Sequence, residues 1–209
     1  MRMPMMARSR LSLLPLLAAA GVLLAACAGE ATAPSSSPMG VTGSPANRAL
    51  AGAVDGVYTF EIDPTQSQSL AIGASHLELP ANAICDIAAS SYGVGTWNDE
   101  CSLQQEPVTI TATVTDAATD HPRIDFQPAL RFSPNREVML YIAVTDEATL
   151  NNSKVVKYCN EAGCVDESLS DASLVSHVDE NNLLVFRRIK HFSGYVVAEF
   201  AGLDLGLGW

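Results

Sequence analysis

Basic residues, aromatic residues and histidines are all scarce in this chain of 209 residues, which has twelve Lys and Arg, 6% aromatics and four His. Three basic residues lie within the first 26 positions, so residues 27–209 carry nine basic and 23 acidic side chains. Nucleic-acid phosphates are bound by clusters of Lys and Arg, and the nearest cluster is Arg187, Arg188 and Lys190. We therefore expect no nucleic-acid partner.

The sequence motifs of the common enzyme classes are also missing. The chain contains no Gly-x-Ser-x-Gly, no His-Glu-x-x-His, no phosphate-binding glycine loop and no EF-hand ligand spacing. A hydrolase acting on a diffusible substrate would have to assemble a triad from scattered positions. We therefore expect a non-enzymatic protein without a cofactor.

The N-terminus contains a basic segment, an apolar run and a cysteine. Residues 1–10 include three Arg, and residues 11–26 are apolar apart from Ser12, Pro15 and Gly21. This is the layout of a secretory signal. The apolar run is shorter than the about 20 residues that a spanning helix needs, which favours a removed signal over a retained anchor.

The end of that run, Leu24-Ala25-Ala26-Cys27, resembles the lipobox of bacterial lipoproteins. The resemblance implies that Cys27 becomes the new N-terminus and carries a diacylglyceryl group, a membrane anchor detectable by palmitate labelling. Ala28 stands where the inner-membrane retention signal of that family has Asp, which implies the outer membrane of a cell envelope. The alternative is an ordinary secretory signal with an incidental cysteine.

Composition and periodicity divide the remaining chain. Residues 27–53 are mainly Ala, Pro, Ser and Gly, which predicts a flexible tether. Between residues 54 and 200 short apolar-polar alternations, clearest at 108–115, predict strands separated by turns, and hence an all-β antiparallel β-sandwich. Residues 201–209 form an apolar, Gly-rich tail. The predicted organisation is a signal peptide at 1–26, the tether at 27–53, the sandwich at 54–200 and the tail.

Four cysteines follow Cys27, at Cys85, Cys101, Cys159 and Cys164. An even number in an exported protein indicates disulfides. Of the three possible pairings we favour the nearest-neighbour one, because each bond would then close a polar insertion between strands. The alternative is a zinc site, although neither pair has Cys-x-x-Cys spacing or a histidine close by.

Three segments, 77–84, 126–140 and 189–198, resemble in their order the ZU-five domain of ankyrins, netrin receptors and related bacterial envelope proteins. They contain an apolar strand entering a Pro-containing turn, two Phe-and-Pro motifs before a strand, and a closing strand. The resemblance implies a β-sandwich. Asn82 stands where the family usually has Gly, and the stretch 85–101 is an insertion relative to the family pattern.

His191-Phe192-Ser193 resembles the self-cleavage site of the ZU-five domains of the p53-induced death-domain protein and of a nucleoporin. The resemblance implies that Ser193 Oγ attacks the carbonyl carbon of Phe192 while His191 acts as general base. In the alternative interpretation Phe192 fills the core, Ser193 and Gly194 form a bend, and His191 is an exposed strand residue.

The expected function is that of a lipid-anchored envelope protein whose sandwich serves as a binding or structural module. Its expected partner is an envelope protein or glycan, contacted through strand edges and loops. One alternative is the self-cleaving domain. The other is a calcium- or glycan-binding domain, for which Asp166, Glu167 and Asp171 are the candidate cation ligands, unless these carboxylates are simply solvated.

Overall fold

A computed structural model describes residues 53–145, 147 and 150–200. The predicted signal peptide, Cys27, the tail at 201–209 and all of the tether except Ala53 lie outside these residues. Ala53 is buried against the core, so the folded domain includes the last residue assigned to the tether. No helix among the described residues is long and apolar enough to cross a bilayer.

The described residues form eleven strands and two short 3₁₀ helices, at Glu167–Leu169 and Ala172–Leu174. In chain order the strands are β1 (Gly56–Ile62), β2 (Gln68–Ile72), β3 (Ser75–Leu79), β4 (Val108–Thr115), β5 (Arg123–Gln127), β6 (Val138–Ala143), β7 (Lys154–Asn160), β8 (Gly163–Val165), β9 (His177–Asp179), β10 (Leu184–Ile189) and β11 (Gly194–Glu199).

The strands build two antiparallel sheets, which confirms the predicted all-β sandwich. The six-stranded sheet has the order β1-β4-β5-β11-β7-β8, and the five-stranded sheet has the order β2-β3-β6-β10-β9. Strand β4 shows why the periodicity was informative: its aliphatic residues are buried, and its threonines lie on the more exposed face. Strands β2, β8 and β9 were not predicted; β8 and β9 have three residues each, too few for a periodic pattern.

One hydrophobic core joins the inner faces of both sheets. It includes Ile110 and Phe126 from the six-stranded sheet and Leu140 and Val185 from the five-stranded sheet. The turn after β3 contains Asn82 with φ 58°, a left-handed conformation that Asn adopts more readily than most residues. Asn is therefore accommodated at this position.

The segment between β10 and β11 passes from one sheet to the other. Strand β10 lies in the five-stranded sheet and β11 in the six-stranded sheet, so residues 190–193 cross one end of the sandwich. The crossing segment is paired with residues 130–132: the amide of Phe192 donates to the carbonyl of Leu130 at 2.7 Å, and that of Phe132 to Lys190 at 2.9 Å. This pairing places His191-Phe192-Ser193 in a defined backbone conformation.

Candidate functional site

The crossing segment buries its first two motif residues. Phe192 lies in the core, stacked on Phe126 with ring centroids 4.4 Å apart and edge-on to Phe132 at 4.9 Å. His191 is also fully buried, so the alternative interpretation is confirmed for Phe192 in the core and wrong for an exposed His191. The physical reason is the change of sheet, because the side chains of a segment crossing between sheets lie against the loops that cover that end of the sandwich.

The His191 imidazole is held on one side by an acidic residue. Its Nε2 lies 3.1 Å from Glu167 Oε1, and the other carboxylate oxygen of Glu167 pairs with fully buried Arg187. Burial by itself would raise the pKa of Glu167, but the hydrogen bond with His191 and the charge of Arg187 outweigh it and hold that pKa below its usual value. The carboxylate therefore fixes the ring orientation, as the acid of a catalytic triad does.

Aromatic side chains surround the same imidazole. Trp97 stacks on it with centroids 4.1 Å apart and planes at 21°, and Tyr158 meets it edge-on at 4.9 Å. On the Nδ1 side the hydroxyls of Tyr92 and Tyr195 each lie 3.5 Å away. Burial raises the pKa of Tyr195 well above its usual value, so this hydroxyl keeps its proton and donates to the His191 carbonyl at 2.6 Å.

Tyr92 and Trp97 both come from the segment between Cys85 and Cys101. A disulfide joins these two cysteines, with Cα atoms 5.6 Å apart. The Arg131 guanidinium, buried below the segment, donates to the carbonyls of Asp99, at 2.9 Å, and of Thr96. The segment that looked like an insertion in the sequence is therefore the cover of the His191 site.

The Phe192–Ser193 peptide bond is contacted from several directions. The carbonyl oxygen of Phe192 accepts a hydrogen bond of 2.6 Å from the Tyr92 hydroxyl. Ser193 Oγ donates to the carbonyl of Cys159 at 3.3 Å, and the Ser193 carbonyl accepts from the Phe126 amide at 3.0 Å. The next residue, Gly194, is closely surrounded: a Cβ there would lie 3.3 Å from the Cys159 carbonyl oxygen and would displace the side-chain ends of Arg123 and Asp125 on β5.

The other disulfide joins Cys159 to Cys164 within the β7–β8 hairpin, where the two residues are also directly paired across the strands. Both disulfides follow the nearest-neighbour pairing favoured from the sequence. The chain leaving this hairpin enters the 3₁₀ helix that contains Glu167.

The three candidate calcium ligands do not converge. Asp166 caps the first 3₁₀ helix by accepting from the Ser168 amide at 2.9 Å, and Glu167 is engaged by His191 and Arg187. Asp171 pairs with Lys190, whose hydrogen bond lowers the pKa of Asp171 to about 2. Among the described residues no group of three or more His, Cys, Asp or Glu side chains could hold a metal ion.

The basic run Arg187, Arg188 and Lys190 is not a surface patch. Arg187 and Lys190 are buried and form ion pairs with Glu167 and Asp171. These pairs attach the 3₁₀ segment to β10 and to the crossing segment.

A cavity of about 290 Å³ opens beside the His191 site. Trp97, Tyr158 and Glu167 form part of its wall, and aliphatic side chains form its rim. Those aliphatic residues are strongly exposed, by 86% for Val94, 64% for Leu169 and 54% for Val165. Exposed apolar side chains gathered around a concave aromatic surface are typical of binding sites.

Comparison with protein-family models, with curated proteins and with solved structures finds no match to this chain. Within the chain itself, sequence reasoning found His191, Phe192 and Ser193 and missed Tyr92, Trp97 and the pairing of Glu167 with His191. A signal for the first two was present, because they are the only large aromatic residues between the paired cysteines.

Proposed function

We propose that the protein is a lipid-anchored component of a cell envelope, attached to the outer membrane through Cys27, and that its ZU-five-like sandwich is a binding module. The observation that carries the proposal is the cavity beside Trp97, with exposed Val94, Val165 and Leu169 on its rim. Burying such a rim against a partner is favourable by about 25 cal/mol for each Å² of apolar surface. The partner class is an envelope protein or a glycan, since aromatic walls suit either.

The binding proposal is tested by crosslinking in intact cells. Val94→Asp should abolish a specific crosslink, because it places a charge at the centre of the apolar rim. The matched control is Val57→Asp, the same change at a 67% exposed valine on β1, the edge strand opposite β8, which contains the rim residue Val165. Equal crosslinking of both variants and the unmodified protein contradicts the cavity as binding site. Palmitate incorporation lost in Cys27→Ala tests the anchor separately.

A second proposed function is self-cleavage between Phe192 and Ser193, and the fixed orientation of His191 favours it. Glu167 engages Nε2, so that in a neutral ring donating from Nε2 the other nitrogen, Nδ1, is free to accept a proton. In this reaction Ser193 Oγ turns away from the Cys159 carbonyl, to which it donates in the structure, attacks the Phe192 carbonyl carbon and passes its proton to His191. The C–N bond then breaks as His191 returns the proton to the departing amine.

The ester formed in this way links Phe192 to Ser193 Oγ, and water hydrolyses it to a new carboxyl terminus and a free hydroxyl. The fragment 193–209 would include β11, which lies between β5 and β7. Its Tyr195 and Val197 are fully buried, so the fragment stays bound in the sheet until the protein is denatured.

Mass spectrometry after denaturation tests the second proposal. The unmodified protein should yield a 17-residue fragment beginning at Ser193, and Ser193→Ala should remain intact. An intact chain in the unmodified protein rejects self-cleavage and leaves the binding proposal untouched.

A further inference from the structure

Self-cleavage needs a group that stabilises the negative charge on the Phe192 carbonyl oxygen. Attack by Ser193 converts this carbonyl into a tetrahedral oxyanion, and hydrogen-bond donors already aimed at such an oxygen usually give the largest catalytic effect. In the structure the hydrogen bond to the Phe192 carbonyl oxygen comes from a side chain and not from a backbone amide. The donor is the hydroxyl of Tyr92, at 2.6 Å.

We propose that Tyr92 is a catalytic residue of the self-cleavage reaction and that it donates its hydroxyl hydrogen bond to the Phe192 carbonyl oxygen as the oxyanion forms. This inference rests on the proposed self-cleavage. The same hydroxyl lies 3.5 Å from His191 Nδ1. One phenol therefore faces both the base and the carbonyl that is attacked.

The surroundings keep Tyr92 in the protonated form that a donor requires. Burial of the phenol, with a contribution from Tyr158, raises its pKa to about 12. The ring is further fixed by an edge-on contact with Trp97 at 4.9 Å. Both rings lie within the segment closed by the Cys85–Cys101 disulfide, so this segment presents a preorganised donor.

The proposed role of Tyr92 adds no proton transfer to the self-cleavage reaction. Tyr92 keeps its proton throughout, while the Ser193 proton passes to His191 and then to the leaving amine. Hydrolysis of the ester consumes one water molecule. A cavity of about 30 Å³ next to Tyr92 has room for one water.

Tyr92→Phe tests the proposal because it removes the hydroxyl and retains the ring. The full-length protein is pulse-labelled in the producing cells, and the intact and cleaved chains are quantified after denaturation over time. We expect cleavage to slow by about 10²–10³-fold, the cost of removing one oxyanion donor. Tyr141→Phe is the matched control, since its hydroxyl contacts exposed Glu78 on the five-stranded sheet, and it should cleave at the normal rate.

A thermal unfolding scan accompanies each variant, so that loss of folding is distinguished from loss of the donor. Cleavage of a folded Tyr92→Phe protein at the normal rate overturns the role of Tyr92 and leaves self-cleavage standing. An unmodified protein that remains intact removes the proposed self-cleavage and this inference together.

Discussion

The two disulfide-bonded segments differ in the backbone structure between their cysteines. Residues 159–164 form a tight hairpin whose strands are already hydrogen-bonded, so the Cys159–Cys164 bond joins two residues that the ladder has paired. Residues 85–101 contain bends and turns but no strand. There the disulfide and contacts such as those from Arg131 hold the chain. The comparison shows that a disulfide has most to contribute where no ladder fixes the backbone.

The two segments also supply different parts of one site. The longer one contributes the Tyr92 and Trp97 rings against His191. The shorter one contributes through the chain that follows it, which carries Glu167 to the other side of the imidazole. Three predictions test this division.

The largest effect is expected from Glu167→Ala. It leaves fully buried Arg187 without its anionic partner, and breaking a buried ion pair from one side costs about 3–5 kcal/mol. Urea unfolding should show this loss in the free energy of unfolding. Glu61→Ala, at an exposed position on β1, is the control and should change stability by no more than about 0.5 kcal/mol. A Glu167→Ala protein as stable as the control would mean that Arg187 is solvated.

Removing the disulfides separately sharpens the comparison itself. Chain entropy predicts that replacing both Cys85 and Cys101 by Ser lowers the free energy of unfolding by about 3 kcal/mol, against about 2 kcal/mol for Cys159 and Cys164. Denaturant titrations measure both values.

The two double variants should differ more in the environment of the Trp97 ring than in the free energy of unfolding. Loss of the longer bridge should release the Trp97 ring from His191 and shift its fluorescence to the red, while loss of the shorter bridge should leave the native spectrum unchanged. A red shift in both would indicate that the two segments order each other.

The smallest effect concerns the Asp171–Lys190 pair, which ties the chain after the shorter disulfide to the crossing segment. Hydrogen bonds from Lys190 and from Ser173 depress the pKa of Asp171 to about 2, so the stabilisation is present above about pH 4 and is lost as the pH falls towards 2. Because the carboxylate is partly exposed, we expect about 1 kcal/mol.

Asp171→Asn isolates this contribution because an amide retains the oxygen that accepts from the Ser173 amide. The difference in stability between the unmodified protein and Asp171→Asn should shrink from pH 5 to pH 2, as followed by thermal unfolding. A stability difference that stays constant with pH would show that the charge of Asp171 does not stabilise the folded protein through Lys190.

The local sequence pattern was sufficient to predict the structure where the type of side chain indicates whether a position is buried, exposed or bonded. Val108–Thr115 alternates along the chain as it does in the structure, and the cysteine spacing favoured the observed pairing. It was insufficient for Arg187, which stands beside Arg188 in a run of basic residues and is nevertheless fully buried. The sequence neighbours of Arg187 do not include Glu167, twenty residues earlier, whose charge makes that burial possible.

The amino-acid sequence by itself determined most of the strands, the antiparallel sandwich and the motif His191-Phe192-Ser193, because period-two alternation and short motifs are local properties of a chain. Only the tertiary structure decided that this motif crosses between the sheets, that His191 is buried, and that Tyr92 reaches the Phe192 carbonyl. Those contacts join residues that lie far apart along the chain, such as Tyr92 and Phe192, a hundred positions apart. They depend on which strands become neighbours, and no local pattern encodes that.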